Sequence, residues 1–244
     1  MGYKTLVGHE DMNTRGFAKT NYFGYEDHIM LKPSMRWIDK QKKNPFFMTY
    51  LLLVSHHTYT TPKSFRSKKY TNSRDPELNK YLNSLRYVDN FLRDLFAEYK
   101  KRGLLEKTLF VLVGDHGEAF SEHKRRQHDN IMWDEGLHVP ALFYAPGLIK
   151  EKKLIKGRRT QVELLPSIVK VLGFSMKGGQ LPGIPVQSTV KKERETYHSC
   201  WYQHQCMALR KGPLKYIYHY NRRAWEVYNL HTDPLEKKNL ASGP

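Results

Sequence analysis

The sequence predicts an α/β fold that closes in a small antiparallel subdomain. Three observations carry that expectation. The uncharged run Thr108–Val113 reads as a strand covered on both faces, and it stops abruptly at Gly114-Asp115-His116-Gly117. A long amphipathic helix precedes this run and another strand follows it, so strands and helices alternate. Beyond about Lys191 the pattern changes to short strands with tight turns between them, as an antiparallel sheet requires.

Taken in order, Phe46–Val54 reads as the first strand, ending at Ser55-His56-His57. A helix is expected from about Pro76 to Arg102, with Asp75 as N-cap and Pro76 in the first position. Its apolar stripe is read as Leu78, Leu82, Leu85, Val88, Leu92, Leu95 and Tyr99; Lys100 to Arg102 suit the helix dipole, and Gly103 ends it. The strand Thr108–Val113, a long loop to Gly136 and the strand Val139–Tyr144 then point to a mixed or parallel sheet flanked by helices. Thr160 and Glu163 form a capping box that opens a second helix, which runs to Leu172 and stops at Gly173. After the Gly/Pro-rich stretch Gly178–Pro185, the runs Met207–Arg210, Leu214–Tyr220 and Trp225–Tyr228 read as the closing strands. Residues 1–190 are thus expected to form the α/β domain and 191–244 its C-terminal antiparallel subdomain.

With 244 residues the chain can bury a substantial core. Its 41 Lys and Arg against 24 Asp and Glu give a net charge of +17, which favours anionic partners. The basic residues fall in scattered clusters, such as Lys40–Lys43, Lys124–Arg126 and Arg222–Arg223, and no nucleic-acid recognition motif accompanies them, so no specific nucleic-acid partner is expected. The longest apolar run, Phe46–Val54, is too short to cross a bilayer. The N-terminus lacks the apolar core of a secretion signal, so the compartment is unreadable, and protein partners are equally so.

The chemistry concentrates at Asp115 and His116. A carboxylate and an imidazole set side by side past the carboxyl end of a strand can share a divalent cation, since both are good donors. A second His/Cys grouping, His198, Cys200, His204 and Cys206, has the even spacing of one strand face, which lines its members up instead of converging them on zinc. The two cysteines are expected to make one small loop or none.

Several stretches together resemble the sulfatase family of the alkaline phosphatase superfamily. Val113-Gly-Asp-His-Gly-Glu-Ala-Phe-Ser-Glu-His123 is similar to the family's Asp-His-Gly metal segment, and Trp133–Phe143 to the Glu-Gly-x-x-Val-Pro strand after it. Gln161–Ile168 resembles the next helix, and Met207–Gly212, Lys215–Tyr218 and Glu226–Leu240 the closing strands and tail. The resemblance implies an alkaline-phosphatase-like fold and a metal-dependent sulfuric ester hydrolase, with phosphoglycerol or phosphoethanolamine transfer, or phosphodiester cleavage, as the alternative. It implies Asp115 and His116 as ligands of a divalent cation, calcium first, manganese or zinc otherwise. His56 and His128 match the catalytic histidines on the substrate side, with His57 a rival because position 58 is Thr where the family usually has Pro. Lys124 and Arg126 lie where they can draw in an anionic sulfated or phosphorylated ester.

The departure lies at the front. In the family a nucleophile, in a Cys-x-Pro-Ser-Arg segment or as Thr/Ser, precedes the strands found here, together with the first acidic ligands; this sequence contains neither, and no Asp-Asp pair. Lys32-Pro-Ser-Met-Arg36 lacks the leading Cys or Ser. The N-terminal part of the fold is therefore expected to be absent, leaving a fragment inactive alone or a non-catalytic anion-binding remnant.

Overall fold

In the computed structural model, which describes residues 2–41, 44–70, 75–190, 194–200, 205–220 and 223–241, the chain folds as two units, Met1–Thr108 and Leu109–Pro244.

The first unit is built on two helices. Helix α1, Leu31–Gln41, buries Met35 and Ile38, one turn apart, and tolerates Pro33 because that residue sits in the first turn. Helix α2, Pro76–Lys101, starts where the sequence places it: the Asp75 side chain accepts from the Glu77 N–H at 3.0 Å. Gly103, at φ +66°, follows its last turn. Of the expected stripe the buried face keeps Leu95 and Tyr99, and it is completed by Asn83, Ser84, Tyr87 and Phe91, while Leu85 is 40% exposed. The larger aromatic side chains hold more area to remove from water, so they set the rotation of the helix. Arg102 donates from Nε and Nη2 to the two carboxylate oxygens of Asp39, at 2.8 and 3.1 Å, and so ties the end of α2 to α1.

Phe46–Val54 forms no ladder among the described residues, contrary to its strand-like composition. Its backbone bonds go to side chains instead: the Leu53 N–H donates to Asp27 Oδ1 at 2.7 Å, and Asn21 Nδ2 donates to the Leu53 carbonyl at 2.6 Å. Asp27 is 1% exposed, and this burial pushes its carboxyl up to about 6.

The second unit holds the strands. Strand β1, Phe110–Val113, is followed by two short strands, β2 (Ala119–Phe120) and β3 (Arg126–Gln127), that pair with each other. A single turn, α3 (Asp134–Leu137), leads into β4, Ala141–Tyr144, which pairs antiparallel with β1. A parallel pairing of these two strands is thereby corrected, because the loop between them doubles the chain back alongside itself. Val113 and Leu142 are 40% and 53% exposed, so this two-stranded ladder is not covered on both faces.

The capping box at Thr160 and Glu163 opens a turn of 3-10 helix before α4, Leu164–Val171, with Pro166 in its first turn. The C-terminal sheet has four antiparallel strands in the order β5 (Thr196–Ser199), β6 (Met207–Lys211), β7 (Leu214–Tyr218) and β8 (Glu226–Asn229). Ala208, Ile217 and Tyr228 from this sheet pack with Ile131, Met132 and Trp133 in one core. Cys200 and Cys206 belong to that core and are joined as a disulfide, so neither offers a thiolate to zinc; His204 lies outside the described residues. The α/β class with a small antiparallel C-terminal sheet is therefore what the sequence predicts. Among the described residues no helix is long and apolar enough to cross a membrane.

Candidate active site at a strand end

Strand β1 delivers Asp115 and His116 just past its last ladder pair, Val113 with Ala141. The turn is pinned from three sides. The Gly114 N–H donates to the Pro140 carbonyl at 3.1 Å and the Gly117 N–H to the Gly136 carbonyl at 2.8 Å. The side-chain amide of Gln161 donates to the carbonyls of Gly114 and Asp115, at 2.9 and 2.7 Å. At Gly117 a Cβ would stand 2.0 Å from the Glu135 carbonyl oxygen, so only glycine lets the two backbones pass this closely.

The donors are already arranged for a ligand. Asp115 Oδ1 accepts from the His116 backbone N–H at 3.0 Å, leaving its other oxygen outward on a side chain that is 80% exposed. His116 Nδ1 lies 2.8 Å from the Gly117 carbonyl, which can only accept, so Nδ1 donates there and Nε2 is the ring nitrogen left to face a ligand. That Nε2 stands 3.7 Å from Asp115 Oδ2. Two ligands of one zinc ion, each about 2.1 Å from it, stand about 3.4 Å apart at the tetrahedral angle, so the spacing fits two neighbouring positions around one cation. Among the described residues no third His, Cys, Asp or Glu completes such a group.

His128 joins this end of the strand. Its ring stacks on that of His116, with centroids 3.9 Å apart and planes at 26°. Both oxygens of Glu118 lie 3.4 Å from His128 Nδ1, and this carboxylate, outweighing the cost of burial, holds the imidazole above its ordinary range. The sequence reading assigned no role to Glu118; its place directly after Asp-His-Gly was the available signal. Gln161 was equally unassigned, since only tertiary contact reveals it.

The loop around β2 and β3 holds four non-glycine residues in the left-handed region, Ser121, Lys124, Gln127 and Asn130, at φ 84°, 58°, 62° and 55°. Such a concentration marks a segment whose conformation is fixed by its surroundings. Lys124 is exposed on this loop, and Arg126, also exposed, lies opposite Phe120 in the short ladder.

His56 and His57 belong to the first unit. The His56 ring meets Tyr22 and Phe23 edge-on, at 5.3 and 4.7 Å, and its Nδ1 lies 3.0 Å from the His57 carbonyl. His57 turns toward α2, with Nε2 4.0 Å from Glu77 Oε1.

The family model for sulfatases matches residues 1–174. A delta 4,5-hexuronate-2-O-sulfatase of Bacteroides thetaiotaomicron is 28% identical over 170 residues, which cover 64% of this chain and 34% of that protein. A lipoteichoic acid synthase of Staphylococcus saprophyticus is 25% identical over 175 residues, covering 68% of this chain and 26% of the synthase. The chain thus spans about a third or less of the length of these two relatives. Among solved structures, a protein of the alkaline phosphatase superfamily from Vibrio parahaemolyticus superposes with a TM-score of 0.67 at 16% identity, over 99% of this chain and 55% of that one. A phosphonate monoester hydrolase of Agrobacterium radiobacter gives 0.63 at 14% identity, over 88% and 57%. The model match spans most of the sequence and takes in the strand end with its paired histidines: the chain belongs to the sulfatase family.

Proposed function

We propose that this chain carries the cation-binding and histidine side of a sulfatase-like, metal-dependent sulfuric ester hydrolase, and that by itself it binds without turnover. The observation behind this is the stacked His116–His128 pair beside Asp115 at the end of β1. Asp115 Oδ2 and His116 Nε2 are the proposed holders of the cation, calcium first, with manganese or zinc as alternatives. When bound, such an ion withdraws charge from the group being transferred. His128, whose proton affinity Glu118 raises, donates to an oxygen of the anionic ester. His56, with His57 as its rival, is assigned to the leaving oxygen on the strength of its segment alone. Lys124 and Arg126 raise the local concentration of the sulfated or phosphorylated substrate. The sequence contains no Cys-x-Pro-Ser-Arg nucleophile, which is why no turnover is expected from these 244 residues.

Phosphoglycerol transfer or phosphodiester cleavage is the second reading, favoured by the similarity to the Staphylococcus saprophyticus synthase. A non-catalytic anion-binding role is the third, favoured by the net charge of +17.

Calorimetric titration of the whole chain with calcium, manganese and zinc, alongside Asp115→Asn and His116→Gln, tests the assignment. One cation per chain, lost in both variants, is expected, together with cation-dependent binding of an aryl sulfate. Cation-dependent binding of an aryl phosphate alone favours the second reading and overturns the sulfatase one. An anion bound by a parent chain that takes up no cation favours the third.

A further inference from the structure

Within the second unit a small cavity lies between the β2–β3 loop and the C-terminal sheet, and none of its lining residues belongs to the strand-end site. It encloses about 170 Å³ and is lined by Arg125, Asn130, Gln205, Cys206, His219 and Arg223. We propose that it is a binding site for one tetrahedral oxyanion, sulfate or phosphate, either free or as the ester group of a larger molecule.

Three independent features converge there. The first is an excess of positive charge. Arg125 and Arg223 share the cavity, and no described carboxylate lines it. The adjoining sequence, Trp201–His204 and Asn221–Arg222, contains no acidic residue either. Glu226 offsets part of the charge on Arg125 but makes its own bonds to other groups: it accepts from His219 Nε2 at 2.8 Å, from Trp133 Nε1 at 3.1 Å and from the Tyr228 hydroxyl. Burial lowers the proton affinity of Arg125, and the like charge of Arg223 lowers it further. A guanidinium that is half removed from water beside a second one is costly unless an anion joins them.

The second feature is a buried amide left without a partner. Asn130 Oδ1 is inaccessible and makes no hydrogen bond, a rare state for a buried polar atom. Because the oxygen and nitrogen of an amide can exchange places, a half-turn of this side chain presents an N–H donor to an anion. The third is rigidity. Asn130 sits at φ +55° on the conformationally constrained loop, and Cys206, which also lines the cavity, is held by its disulfide to Cys200. Guanidinium and amide donors held before the ligand arrives lose little freedom when it binds, which favours affinity.

The test is calorimetry of the whole chain, stripped of divalent cations by a chelator so that the strand end takes no part, with sodium sulfate and sodium phosphate at constant ionic strength, and with glucosamine 6-sulfate against glucosamine. Saturable binding of one oxyanion per chain is expected, weakened about tenfold or more in Arg223→Gln. Arg223 is exposed, so that variant is expected to fold. Lys152→Gln, the same charge change on an exposed residue elsewhere, and Asp115→Asn are both expected to bind as the parent does. Binding of the sulfated sugar but not of glucosamine identifies the ligand as a substrate's ester group, whereas binding of the inorganic ions alone identifies a free-anion site. The proposal is overturned by an adventitious ion only, meaning no saturable binding, or by equal losses in Arg223→Gln and Lys152→Gln. Loss in Asp115→Asn also overturns it, because the anion would then sit at the strand end.

Discussion

The imidazoles of His116 and His128 lie face to face, 3.9 Å between centroids, with each ring addressed by a different carboxylate. Asp115 Oδ2 stands 3.7 Å from His116 Nε2, and Glu118 stands 3.4 Å from His128 Nδ1. The two rings therefore differ in setting: His116 turns its Nδ1 to a backbone carbonyl and its Nε2 toward Asp115, and Glu118 biases His128 toward the protonated form. Ring stacking also fixes the plane of His116, as supporting contacts do around metal ligands.

Removing that support has a defined cost. His128→Ala is expected to weaken divalent-cation affinity about tenfold while leaving both donors in place. Calorimetric titration with calcium and zinc checks it, and unchanged affinity would show that the stack does not position His116.

Gly117→Ala forces a methyl group against the Glu135 carbonyl, 2.0 Å from the Cβ position. Displacement of the turn is expected to destabilise the fold by about 1–3 kcal/mol and to weaken cation binding at the same time. Urea denaturation read beside cation titration tests both; a variant as stable as the parent contradicts the close approach.

Asp27 gives a pH dependence of unusual sign. Its carboxyl, ordinarily near 3.8, is raised to about 6, so the folded state holds the proton more tightly than the unfolded one. Folding is therefore most favoured below about pH 4, and the contribution is lost as the pH rises through 6, a change on the order of 2–3 kcal/mol. Asp27→Asn keeps an oxygen for the Leu53 N–H and removes the charge, so it is expected to raise the melting temperature at pH 8 and to have little effect at pH 4. Equal shifts at the two pH values would contradict the assignment.

Lys215 is 1% exposed and reaches Asp134 Oδ1 at 2.8 Å and Glu236 Oε1 at 2.7 Å, joining β7 to α3 and to the C-terminal tail. Burial pushes the Glu236 carboxyl upward; at Asp134 burial acts the same way, but Lys215 outweighs it and the carboxyl stays low. Lys215→Met leaves Glu236 without its cation and Asp134 with Arg210, 3.7 Å away, and is expected to cost about 3–5 kcal/mol. Adding Glu236→Gln is expected to restore part of this in urea denaturation; a single variant within 1 kcal/mol of the parent, on the scale of an exposed pair, would deny the triad its role.

The features legible in the sequence were those with local causes. Asp75, Pro76 and Gly103 bound α2 because caps act on the adjacent backbone, and the uncharged run before Gly114 locates Asp115 and His116 at a strand end. The rest depended on partners far along the chain. Phe46–Val54 has strand composition, but a ladder needs a neighbour, and its described bonds go to Asp27 and Asn21. Helix α1 carries Pro33 in its first turn, and this segment was assigned no element from sequence. The α2 stripe was counted on leucines, whereas Tyr87 and Phe91 face inward to meet His28. At the site, Glu118 and Gln161 act through contacts that no spacing rule describes.

Gln161 carries one more implication. Its amide grips the carbonyls of Gly114 and Asp115, and the turn it belongs to is locked by Glu163, fully buried, which accepts from Thr160 and from Arg194 just ahead of β5. The backbone that carries Asp115 is thereby anchored, through Gln161 and the turn that Glu163 caps, to Arg194, a residue far along the chain at the edge of the C-terminal sheet.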